Sequence, residues 1–153
     1  MNSSKESTDF LIIGGGMVGL CLAKRLCDKS PNSKITIVDK EEEIGKHSSG
    51  RNSGVLHAGI YYKPQTLKAK VCITGAKRLI KWCKDENLEV LRCGKVITPQ
   101  KKSLDEQIDF LYKRGQKNGA EVKIIDKREF NDRVPDGYTS TGRALWSPNT
   151  SVV

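Results

Sequence analysis

The stretch from Phe10 to Gly19, Phe-Leu-Ile-Ile-Gly-Gly-Gly-Met-Val-Gly, constrains the fold more than any other part of the chain. Four apolar residues, Phe10 to Ile13, read as a buried strand. Gly14, Gly16 and Gly19 follow, and then an amphipathic helix. This is G-x-G-x-x-G in the order that gives it meaning: strand, tight turn, helix. Gly14 permits the turn, Gly16 lets a pyrophosphate approach the backbone, and Gly19 lets the helix lie close to the strand. The helix N-terminus then offers N–H groups and a positive dipole end to phosphate. A second strand, Ile35 to Val38, ends at Asp39, twenty residues after Gly19 and at the spacing of a ribose hydroxyl acceptor. A glycine-rich turn without a ligand is the other reading. The second strand and its acid argue against it.

The 153 residues suffice for one ordinary domain. No run of about 18 apolar residues exists to form a transmembrane helix. The leader Met1 to Thr8 is polar and lacks arginine, so neither a signal peptide nor a transit peptide is expected. The five cysteines (Cys21, Cys27, Cys72, Cys83 and Cys93) are odd in number and form no C-x-x-C pair. They are expected to be buried, reduced thiols. His47 and His57 lie far from any cysteine in sequence, so no metal site is expected. Lysine and arginine outnumber aspartate and glutamate by 27 to 18. The lysines are dispersed and aromatics are few, which fits a solvated basic surface better than a nucleic-acid interface. Any real bias favours an anionic ligand.

In chain order, the first helix is expected to bury Val18, Leu22, Leu26 and Cys21, with Lys24, Arg25 and Lys29 outside. Strand, helix and strand then form a right-handed βαβ unit. Lys40 to Ile60 lacks periodicity and is rich in glycine and serine. It reads either as a ligand-binding loop or as an ordinary surface loop. A helix over about Thr66 to Glu86 carries an apolar stripe of Ala69, Cys72, Ile73, Ala76, Leu79, Ile80 and Cys83. Val90 to Pro99 reads as a strand. Ser103-Leu-Asp-Glu106 matches a capping box that opens a helix burying Leu104, Ile108, Leu111 and Tyr112, and Asn118-Gly119 stops it. Glu121 to Ile125 is a strand, Asp126 starts a short helix, Pro135 to Thr141 is a turn-rich loop, and Ala144 to Trp146 is a short strand broken by Pro148.

The segment Gly45-Lys-His-Ser-Ser-Gly-Arg-Asn-Ser-Gly-Val-Leu-His-Ala-Gly-Ile-Tyr-Tyr62 closely resembles FAD-dependent L-2-hydroxyglutarate dehydrogenases/oxidases of the D-amino-acid-oxidase-like superfamily. The likeness continues through Lys63-Pro64, Leu67 to Lys70, Arg92 to Lys95 and Ser147-Pro148. It implies an α/β fold: a Rossmann-like FAD-binding βαβ unit with part of an α+β substrate domain. Residues 1–87 would be the N-terminal part of the FAD-binding domain and 88–153 the first part of the substrate domain. Family members are much longer, so the chain reads as truncated.

The resemblance implies oxidation of L-2-hydroxyglutarate, a small anionic hydroxy acid, to 2-oxoglutarate, with hydride passing from C2 to flavin N5. An electron acceptor (oxygen, a quinone or a carrier protein) is implied as a partner. No nucleic acid and no transmembrane segment are expected. By the same match, Gly14, Gly15, Gly16 and Gly19 bind the FAD pyrophosphate and Asp39 the adenosine ribose. Many relatives carry glutamate at that last position. Ser49, Gly50, Arg51, Asn52 and Ser53 line the flavin side. His57 is either the base or a hydrogen-bonding partner of flavin or backbone. Arg51 pairs either a substrate carboxylate or FAD phosphate. Tyr61 and Tyr62 either close the pocket or simply pack. Sister activities share the glycine motif, namely an FAD-dependent amino-acid or amine oxidase and a glycerol-3-phosphate dehydrogenase. A non-catalytic dinucleotide-binding fragment and an NAD-dependent dehydrogenase are the remaining readings. The last of these leaves Ser49 to Tyr62 unexplained. An intracellular location follows: cytoplasmic or peripherally membrane-associated in a prokaryote, mitochondrial in a eukaryote.

Overall fold

The computed structural model describes residues 7–153. The polar leader from Met1 therefore lies largely outside the described residues. The chain forms two compact units, Met1–Ser53 and Gly54–Val153.

In the first unit, β1 (Phe10–Ile13) lies parallel to β2 (Ile35–Val38), with Phe10 opposite Ile35 and Ile13 opposite Val38. Parallel neighbours need a crossover, and α1 (Met17–Lys29) supplies it. The entry to β1 is tied to β2 by side chains. The Asp9 carboxylate accepts from the Lys34 N–H at 2.8 Å, and the Thr8 hydroxyl donates to the Lys34 carbonyl at 2.8 Å. The expected burial of β1 is corrected: only Ile12 is buried and Phe10, Leu11 and Ile13 are exposed, because nothing among the described residues covers the other face of this two-stranded sheet. The packing of α1 also departs from expectation. Val18, Cys21 and Leu22 are exposed, Val18 at 83%, and α1 buries no residue fully. The half-buried apolar residues are Leu20, Ala23 and Leu26, at a spacing of three. Strands lie about 4.8 Å apart, so a two-stranded sheet covers only one narrow stripe of a helix.

In the second unit, β4 (Lys95–Ile97), β6 (Ala144–Ser147) and β5 (Lys123–Ile125) form an antiparallel sheet with β6 in the centre. Two helices pack on this sheet. Ile108 of α3 (Glu106–Lys117) meets Leu145, Ile60 and Ala120. Phe130 of α4 (Lys127–Arg133) meets Ile125 and Ala144. The helix α2 (Leu67–Asp85) buries Ala69 and Cys83 and half-buries Cys72, Ile73, Ala76, Leu79 and Ile80. Its N-terminus is capped by Thr66, whose hydroxyl accepts from Ala69 N–H at 3.2 Å. Asp126 caps α4 in the same way, accepting from Glu129 N–H at 2.9 Å.

Several local expectations are corrected. A strand over Val90 to Pro99 is reduced to Lys95–Ile97, with Leu91 bridging Val152. Gly94 interrupts it at φ +68°, and a Cβ there would strike the Trp146 ring. The capping box does not form. Lys102–Leu104 is a 3₁₀ turn, Asp105 occupies the cap of α3, and its side chain is committed elsewhere. Arg143 donates to Asp105 at 2.5 Å and to Asp109 at 2.7 Å, clamping β6 to α3, and Leu104 stays exposed. Two short strands also went unforeseen: β3 (Val55–Leu56) pairs antiparallel with β7 (Ser151–Val152). The cysteines are all free, but Cys21, Cys27 and Cys93 are exposed; only Cys83 is buried. No helix among the described residues is long and apolar enough to cross a membrane.

Candidate functional site

The glycine turn is built as its residue types require. Gly14 sits at φ +110°, a conformation that side chains rarely adopt, and its N–H donates to the Val38 carbonyl at 2.7 Å. A Cβ on Gly19 would lie 2.0 Å from the Gly14 carbonyl oxygen, so α1 can approach β1 only through glycine. The loop after β2 folds back onto this turn. Gly45 N–H donates to the Gly15 carbonyl at 3.1 Å, and the Ser49 hydroxyl accepts from Met17 N–H at 2.9 Å. Gly16 lies beside that hydroxyl, where a Cβ would sit 3.1 Å from it. Ser49 thus caps α1 from a distance, because Gly16 at the N-cap has no side chain of its own.

Asp39 sits on the same turn. Its carboxylate accepts from Gly15 N–H at 2.5 Å and from Glu41 N–H at 2.9 Å. The Glu41 amide, then the Gly15 amide, hold it below the usual carboxylate range, so it is ionised. Each oxygen keeps a second lone pair for a further donor. Two concavities flank the turn. One, of about 460 Å³, is lined by Ile13, Gly14, Gly16, Gly19 and Ser49 among others. The other, of about 500 Å³, is lined by Gly14, Val38, Asp39, Lys40 and His47. His47 pairs with Glu41 at 2.8 Å and borders the acidic end. The rest of the loop holds itself in turns: Gly50 N–H donates to His47 O, and the Asn52 side chain donates to Ser49 O at 2.7 Å. Arg51 and Ser53 are exposed.

The first unit therefore brings Gly14, Gly15, Gly16, Gly19, Asp39 and Ser49 together, with Gly50 to Ser53 following on the same loop. His57 lies in the second unit, on a segment fixed by α3. Asn118 donates to both the Gly59 and Tyr62 carbonyls at 2.8 Å, and Arg114 donates to the Tyr61 carbonyl at 3.0 Å. Gly59, at φ +88°, packs against Ile73 of α2 where a Cβ would not fit. The His57 ring meets Tyr61 edge-on with centroids 6.3 Å apart. Desolvation, then the nearby Lys95 charge, push the imidazole below its ordinary pKa, so it is neutral at physiological pH and can accept a proton. Sequence reasoning assigned no role to Asn118 beyond stopping a helix, and none to Lys95. The Arg92-Cys-Gly-Lys95 resemblance was the only signal pointing to the latter.

The sequence profile described as FAD dependent oxidoreductase (DAO) matches residues 9–153. Among curated proteins, the mitochondrial L-2-hydroxyglutarate dehydrogenase of Dictyostelium discoideum is 38% identical over 99% of this chain and 34% of its own length. The L-2-hydroxyglutarate dehydrogenase of Indibacter alkaliphilus is 39% identical over 94% of this chain and 36% of its own length. The chain thus spans about a third of the length of the curated relatives it matches. Among solved structures, a dithionite-reduced L-alpha-glycerophosphate oxidase from Mycoplasma pneumoniae with FAD bound superimposes at TM-score 0.84 and 27% identity. That match covers 97% of this chain and 39% of the other.

Proposed function

This chain belongs to the DAO family of FAD dependent oxidoreductases, and from that premise we propose that it carries the nucleotide-binding part of an enzyme oxidising L-2-hydroxyglutarate to 2-oxoglutarate. The observation that carries the cofactor reading is the joint built by Gly14, Gly19, Asp39 and Ser49. Its Gly14, Gly15 and Met17 amides are taken up by Val38, Asp39 and Ser49, which fixes the turn and sets an ionised carboxylate beside the start of α1. Pyrophosphate fits a turn whose glycines carry no side chain, and a ribose hydroxyl can donate to Asp39. We assign Gly14, Gly15, Gly16 and Gly19 to the pyrophosphate and Asp39 to the ribose. Ser49, Gly50, Arg51, Asn52 and Ser53 are assigned to the flavin side. A flavin held by these residues would supply the two-electron acceptor for the alcohol oxidation. His57, neutral and half-buried, is assigned the hydroxyl proton. The division into 1–87 and 88–153 is retained as the family's domain plan, distinct from the two packing units.

The names of the curated relatives, at 38–39% identity, support the hydroxy acid as substrate. A second reading, oxidation of glycerol 3-phosphate, is favoured by the likeness to the glycerophosphate oxidase. An electron acceptor completes the turnover, and a mitochondrial site is proposed if the source is eukaryotic, after the name of the Dictyostelium relative. Anaerobic mixing of the flavin-loaded protein with L-2-hydroxyglutarate, glycerol 3-phosphate and glycine separates the readings. Bleaching of the flavin by the first alone supports the proposal. Bleaching by glycerol 3-phosphate alone supports the second reading, and a protein that takes up no flavin argues for a non-catalytic module.

A further inference from the structure

We propose that Lys95, with Tyr61 and His57, forms a carboxylate-binding subsite in the second unit. Lys95 opens β4 and shares a strand face with Ile97. Ile97 packs on the Ile60 cluster, which directs that face toward the His57–Tyr61 segment. The Lys95 ammonium lies 4.9 Å from the centroid of the Tyr61 ring, and that same ring meets His57 edge-on. Lys95 is half-buried, and among the described residues it forms no ion pair with a carboxylate. Its charge is offset by the aromatic face alone, which is a weak partner for a partly desolvated ammonium.

Lys68 also lies over a ring, 4.7 Å from the Tyr62 centroid, but it is exposed, whereas Lys95 is half-buried. Lys81 and Lys123 are exposed and paired with Asp85 and Glu129. Here a cation is held against a ring on a segment immobilised by Asn118 and Arg114. The Arg114 guanidinium is spent on the Tyr61 carbonyl and on the Phe110 face, which leaves Lys95 as the donor for an incoming anion. The ligand that fits is a small carboxylate whose hydroxyl-bearing carbon can reach the neutral imidazole. Lys95 then anchors the acid while His57 faces the alcohol.

This subsite rests on the proposed oxidation of an α-hydroxy acid, but its test does not depend on turnover. Binding of glutarate, a non-reacting dicarboxylate, is followed by NMR of the His57 imidazole in wild type, K95Q, K95R and H57N; for H57N the Tyr61 ring signals are followed instead. The expected result is a loss of glutarate affinity of about tenfold or more in K95Q. K95R should retain affinity within about threefold, since charge and reach persist. H57N should keep glutarate binding. Circular dichroism identifies a K95Q protein that fails to fold, and K95R against wild type, with butyrate and butylamine as ligands, then decides. Preference of both proteins for the anion supports the subsite, and equal binding of the two overturns it. Glutarate affinity unchanged in a folded K95Q also overturns it, whatever the enzyme oxidises. Conversely, a flavoprotein that ignores L-2-hydroxyglutarate yet loses carboxylate binding in K95Q would overturn the substrate assignment and leave the subsite standing.

Discussion

At the scale of single residues, Gly19 is the position with least latitude. A methyl group there would overlap the Gly14 carbonyl, which is backbone and cannot swing aside. G19A should therefore cost about 1–3 kcal/mol of stability by overpacking. It should also abolish flavin retention, read as the flavin-to-protein ratio after gel filtration. Ser49 offers a gentler probe. S49A removes the distant cap on Met17 N–H and should cost about 1 kcal/mol in thermal unfolding, with weakened but measurable flavin binding. His57 carries a pH signature. Its folded-state pKa lies below the unfolded value, so its contribution to stability is present above that unfolded value. The contribution is lost as pH falls through the lowered one. The same neutral form is the proposed proton acceptor. The rate of flavin reduction should rise with pH through a step below the ordinary imidazole value, and H57Q should remove that step and lower the rate by about 10²-fold or more.

At the scale of elements, the Arg143 clamp decides how α3 meets β6. Asp105 is held below the usual carboxylate range, first by the Thr141 hydroxyl and then by Arg143. Its folded pKa is below the unfolded one, so the clamp supports the second unit above the unfolded value and fails as pH falls through the folded one. The melting temperature of R143Q should lie below that of wild type at neutral pH and converge with it in acid. The capping box misled for a related reason: Ser103 lies inside the 3₁₀ turn Lys102–Leu104, and α3 begins at Glu106 with Asp105, bound to Arg143 thirty-eight residues later, at its N-cap. Helices with strong stripes were legible, α2 within a residue at each end and α4 from its Asp126 cap. Two-residue strands such as β3 and β7 carry no periodicity to read, and they exist only because each finds the other. The geometry of the glycine turn was legible, since Gly14 supplies a positive φ and Gly19 a close approach to the Gly14 carbonyl.

At the scale of the whole molecule, the two units differ in how well they cover their apolar residues. The second unit encloses Ile108, Ile125, Phe130 and Leu145 almost completely. In the first, Ile13 and Val18 are exposed at 85% and 83%, and Leu11 and Leu22 at about half. Parallel sheets are ordinarily covered on both faces, so this surface should be adhesive. The 153-residue chain is expected to self-associate with rising concentration in sedimentation velocity, and paired lysine substitutions at Ile13 and Val18 should suppress this. A family of function was legible in Ser49 to Tyr62, yet the packing units divide within that segment, at Ser53 and Gly54. A motif remembers the ligand around which it is arranged, whereas contact density registers only the chain's own packing.

The central claim is that the Gly14–Gly19 turn holds FAD for the oxidation of an α-hydroxy dicarboxylate. Its most direct test is anaerobic titration of the flavin-loaded protein with L-2-hydroxyglutarate, monitored by the flavin's visible absorbance. Stoichiometric bleaching with release of 2-oxoglutarate, absent in G19A for want of flavin, is the predicted result. A protein that binds flavin through this turn but is bleached only by glycerol 3-phosphate or an amino acid would contradict it.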